Sequence, residues 1–131
     1  MSQSPPPNVQ TLPLMWGAFI MAHLSIAGVT SVVPAEPTGD TSWAPLLGLV
    51  ALVPAGLSVQ GGLIARAASN AQTWFLIRFA LGEAAGLIGV VAWLAAGDRA
   101  VQLGCAAVGL VAHLFAFPSA GAQAAFEDRR R

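Results

Sequence analysis

Residues 74–96, WFLIRFALGEAAGLIGVVAWLAA, decide how this chain folds. Crossing a bilayer as a helix takes about 20 mainly apolar residues, and this run supplies them. Its only charges are Arg78 and Glu83. Arg78 lies near the start of the run, where a long side chain can snorkel to an interface. Glu83 lies too deep for that. A carboxylate at the centre of a membrane helix costs about 2.5–3.5 kcal/mol on insertion scales, so Glu83 calls for a partner or a purpose.

The rest of the chain matches this segment. Of 131 residues, 56% are hydrophobic and 9% charged, with a mean hydropathy of +0.68. Soluble domains carry about 25% charged residues, so an ordinary water-soluble globule is excluded. The six basic residues are all arginines, and the formal net charge is zero, which gives no electrostatic footprint for nucleic acid. The single cysteine, Cys105, excludes an intrachain disulfide framework and a thiolate zinc cluster, and reads as a small packing residue.

Four apolar runs predict an all-α fold, a polytopic four-helix transmembrane bundle, with spans at about 12–33, 44–65, 74–96 and 100–118. The connections PAEPTGDTSW, RAASNAQT and GDR hold turn residues together with most of the local charge. Residues 1–11 read as a disordered, proline-rich leader and 119–131 as a tail. The leader has no basic n-region, so the first apolar run reads as a retained helix. Arg66 and Arg78 flank the second loop and Arg129, Arg130 and Arg131 close the tail, which predicts both termini on the cytoplasmic side. Trp16, Trp43, Trp74 and Trp93 fall near predicted helix ends, where indoles anchor helices at headgroups.

Topology places polar side chains by depth at about 1.5 Å per residue. Counted from the span ends, His23 and Glu83 share a deep level, with Ser25 close by. Arg78, Gln60 and His113 fall in a shallower layer. A shared proton or ion pair between Glu83 and His23 lowers the cost of burying either one. The plainer use of these groups is hydrogen bonding across helices, which fixes helix rotation. The two histidines are expected at different depths, and no clustered ligand spacing is present. No metal and no cofactor are therefore assigned.

Gly82, Gly86 and Gly89 form a small-residue stripe beside Glu83 that allows close helix packing. Cys105 and Gly109 repeat the pattern in the fourth span, while Pro54 is expected to kink the second.

The sequence Glu83-Ala84 followed by Gly89-Val90-Val91 resembles the ion-binding helix of the rotor proteolipid, subunit c of rotary ATP synthases. That resemblance covers one helix and implies that Glu83 binds and releases a transported proton. The chain departs from it at the loop, where Arg66 is followed by AASNAQ. End to end, the chain resembles small uncharacterised four-span bacterial membrane proteins, through Arg78, the run Ala80-Leu81-Gly82-Glu83-Ala84, and Phe117-Pro118. This second resemblance implies fold and topology only, and no activity; the expected location is the bacterial inner membrane.

Two functions follow as expectations. One is a structural or accessory subunit that packs in the lipid bilayer against a copy of itself or a partner complex. The alternative is a proteolipid-like subunit that handles a proton or cation through Glu83. No nucleophile–base pair or phosphate loop stands out, so an enzyme is not expected.

Overall fold

The computed structural model describes residues 11–37 and 40–130 of the chain. The described residues fold into six helices: α1 Thr11–Val32, α2 Ala44–Gln60, α3 Gly62–Ala67, α4 Ala71–Ala96, α5 Arg99–Phe115 and α6 Ala120–Arg130. Most of the leader, together with Arg131, lies outside the described residues.

The central helix is α4, which packs against each of the other five. Its ends are set locally. The Asn70 side chain caps the start by accepting from Thr73 N–H at 2.9 Å, and Gly97 closes the end at a φ of 64°. Asp98 then caps α5 by accepting from Val101 N–H at 2.9 Å. So tight a turn makes α4 and α5 antiparallel neighbours. A Cβ on Gly89 would lie 2.6 Å from Cys105 Cβ and 2.8 Å from Gln102 O, so only glycine permits this approach.

Two helices, α1 and α4, are each long and apolar enough to cross a membrane, with mean hydropathy of 1.6 and 1.8. A third crossing results if α5 and α6, bent by 85° at their junction, count as one span. The expected second span, 44–65, does not form as one helix. The chain runs helically through Pro54, then breaks at Gly61, whose φ of 59° belongs to the left-handed region that favours glycine. That leaves α2 with 17 residues and sets off the short α3. The expected fourth span is also shorter, because α5 ends at Phe115 and the chain turns sharply before Ala120.

The expected tail is a packed element. α6 lies against α3 and α4, with Phe126 fully buried and its ring 5.5 Å from that of Trp74. Trp74 itself is buried rather than turned to an interface, and so is Trp93. Trp74 Nε1–H donates to Gly61 O at 2.7 Å, which fixes the backbone at the α2–α3 break.

Candidate functional site

The three helices α1, α4 and α5 converge on one carboxylate. His23 Nδ1 lies 3.0 Å from Glu83 Oε2, and His113 Nε2 lies 3.2 Å from the same oxygen. His23 is 3% exposed, His113 is fully buried, and the Glu83 side chain is 15% exposed. The two imidazoles meet edge to face with centroids 5.3 Å apart.

Glycines make room for both rings. Gly86 faces His23 with no space for a Cβ. A Cβ on Gly109 would sit 2.5 Å from His23 Cε1 and 2.7 Å from Gly82 O, and one on Gly82 would sit 3.1 Å from His113 Cε1. The stripe expected to serve packing therefore also seats the two histidines.

Hydrogen bonding fixes which ring nitrogen carries a proton. His23 Nε2 lies 2.8 Å from Ala106 O, and a carbonyl can only accept, so Nε2 bears the hydrogen. In a neutral ring Nδ1 is then a bare lone pair facing an acceptor oxygen at 3.0 Å. Two acceptors at that separation repel unless a cation lies between them, the smallest being a proton on either atom. His113 Nε2–H can donate to the same oxygen, which leaves its Nδ1, buried and without a hydrogen-bond partner, as a lone pair.

A second open valence lies beside this layer. Gln102 Nε2–H donates to Thr30 Oγ1 at 2.6 Å, and the Thr30 hydroxyl hydrogen is engaged with the α1 carbonyl of Ile26 or Ala27. Gln102 Oε1 is left buried without a partner. A cavity of about 10 Å³, at the lower limit for one water molecule, is lined by Gln102, His23, Glu83 and Gly86.

The side chains expected to form a shallow layer, Arg78, Gln60 and His113, do not come together, and His113 meets Glu83 instead. His113 belongs with Glu83 because α4 and α5 are antiparallel and helical side chains lean toward their own N-termini. Across such a pair the two side chains lean toward each other. Glu83 precedes Gly97 by about as many residues as His113 follows Asp98, so counting outward from the turn would have paired them. The separation of the histidines on which the absence of a metal site rested is likewise overturned. Gln60 is exposed, and only its backbone oxygen is used, as an acceptor from Arg129. Ser25 is exposed and bonds back to Met21 O.

Arg78, expected to snorkel, is 4% exposed and caps two helices. Its Nε–H donates to Ser58 O, and its Nη2 lies 2.9 Å from Phe115 O and 3.4 Å from Val59 O. All three are carbonyls in the last turn of α2 or α5, which have no partner within their own helix. Ser58 Oγ–H returns a bond to Arg78 O at 2.9 Å, and the guanidinium carbon sits 4.7 Å from the Trp74 ring centroid. Trp16 Nε1–H adds a bond to His113 O at 2.8 Å.

No protein-family model, no curated protein and no solved structure matches the chain. The fold and the site define the class of protein: an all-helical chain with two or three helices able to cross a membrane, and a buried His–Glu–His layer at its centre.

Proposed function

We propose that the chain is a small integral membrane protein that takes up and releases a cation, in the simplest case a proton, at Glu83 between His23 and His113. In this reading α1, α2, α4 and α5 are four spans of a bacterial inner-membrane bundle with both termini cytoplasmic. At 17 residues and about 25 Å, α2 and α5 sit at the short end of the spanning range. The layer is then intramembrane, where ionisable side chains mark ion and proton paths. No enzymatic step belongs to it.

One observation carries the reading. The His23 ring is held by Ala106 O so that Nδ1 faces Glu83 Oε2, a contact that needs a cation between the two atoms. Purified protein in proteoliposomes should show a proton flux that Glu83→Gln abolishes while the bundle stays folded. Carbodiimide should modify Glu83. A flux unchanged in Glu83→Gln sinks the reading.

The accessory-subunit reading draws on a different observation. An apolar groove of about 500 Å³ runs between α2 and α5, lined by Leu52, Gly56, Val59, Ala107 and Val111. Gly56 has open space around it, as suits a seat for another helix. Copurification in mild detergent and its stoichiometry test this. A partner lost on Gly56→Leu supports it, a ring of many copies returns the proteolipid likeness, and a chain that purifies alone counts against it.

A further inference from the structure

The geometry points to a divalent transition-metal site of the zinc type, formed by His23 Nδ1, Glu83 Oε2 and His113 Nε2. It rests on the cation reading above and names a second cation class for the same layer. These three atoms come from three different helices and all lie within 4.8 Å of one another. Tetrahedral zinc with bonds of about 2.0–2.1 Å sets its ligand atoms about 3.3 Å apart. Two of the three edges already stand at 3.0 and 3.2 Å. Closing the third takes a movement of at most about 1.5 Å between the imidazoles.

The chemistry of the donor set fits as well. Two imidazoles and one carboxylate, with a fourth position open to water, make a common zinc arrangement. The second nitrogen of a ligating histidine usually donates to a carbonyl or carboxylate, which fixes the tautomer that leaves the other nitrogen free to bind. His23 is already held that way, with Nε2–H on Ala106 O and Nδ1 turned to the site. His113 presents the second lone pair once its hydrogen sits on Nδ1, a buried position with no acceptor beside it, so the metal bond has to offset one unmet donor.

Room for the fourth ligand lies beside two of the three ligand residues. The small cavity bordered by His23 and Glu83 is also lined by Gln102, whose Oε1 is buried and unpartnered. A metal-bound water there would find an acceptor already waiting.

The test uses the full chain, tag-free, in detergent micelles, titrated with Co²⁺ as a spectroscopic probe and then with Zn²⁺. One Co²⁺ per chain should give the intense visible bands of a tetrahedral site, and Zn²⁺ should erase them. Glu83→Gln and His113→Gln should each weaken binding by roughly 100-fold or more, since even outer-shell changes cost 10–100-fold. Melting and gel-filtration profiles identify any variant that fails to fold; if His113→Gln fails, Glu83→Gln decides alone. Absence of tetrahedral bands in the wild type, or binding undiminished in a folded Glu83→Gln, overturns the metal site. With Glu83-dependent proton flux intact, that result leaves the cation reading standing. Absence of both flux and binding in the wild type removes both.

Discussion

Two polar layers, one joining α2, α4 and α5 around Arg78 and one joining α1, α4 and α5 around Glu83, are built in opposite ways. Around Arg78 the helix-end carbonyls are all satisfied. The last four carbonyls of α2 accept from Gly61 N–H, from Arg78 twice and from Arg129, and the last four of α5 accept from Ala116 N–H, Trp16, Phe117 N–H and Arg78. Around Glu83 valences stay open: His113 Nδ1 and Gln102 Oε1 are buried without partners, and the contact with His23 needs a cation. Both layers hold a charged residue type inside the bundle. Burial alone therefore does not separate the two layers; the hydrogen-bond inventory does. The closed layer joins two helix ends that would otherwise expose carbonyls, whereas the open one has capacity for something else.

If that contrast holds, the two layers respond differently to substitution. The largest loss of stability is expected from Arg78→Ala, about 3 kcal/mol, because bonds from a charged donor to three carbonyls disappear together. Unfolding in detergent measures it. Arg78→Lys should recover only part, since an ammonium cannot match the planar fork. Gly109→Ala comes next at about 2 kcal/mol, because the added methyl meets the Gly82 backbone as well as the His23 ring. Its proton flux should fall with it, since His23 must move.

Smaller effects sharpen the boundary between the layers. Trp16→Phe should cost about 1 kcal/mol, the worth of its bond to His113 O, while the edge contact with Phe117 survives. The same melt, run beside a flux assay, should show stability reduced and transport kept. Least of all, Glu83→Gln should change stability by only about 0.6 kcal/mol, the average for a polar contact between membrane helices, while abolishing flux. A Glu83→Gln protein as unstable as Arg78→Ala would make the Glu83 layer structural too, and the contrast would collapse.

Much of the architecture is legible along the chain because its causes are local. Apolar runs, the Asn70 and Asp98 caps and the Gly97 stop each act within a few residues, and they give α1, α4 and the start of α5 nearly as expected. His23 and Glu83 could be matched in level by counting along two helices. The break at Gly61 was not legible, because the apolar run continues past Gly61 and Gly62 to Ala65. What makes the break affordable is a set of distant donors: Trp74, Arg78 and Arg129. His113 was misplaced for a related reason, since its level was counted from a helix end that the fold moved.

By itself, then, the sequence determined an all-helical, strongly apolar chain with one acidic residue deep in its central helix, because hydropathy and capping are read residue by residue. Only the tertiary structure decided that Arg78 closes two helix ends and that both histidines meet on one oxygen of Glu83. Those outcomes depend on the antiparallel packing of α4 and α5 and on glycines facing imidazoles across helices, and such contacts join residues with no local relation in the chain.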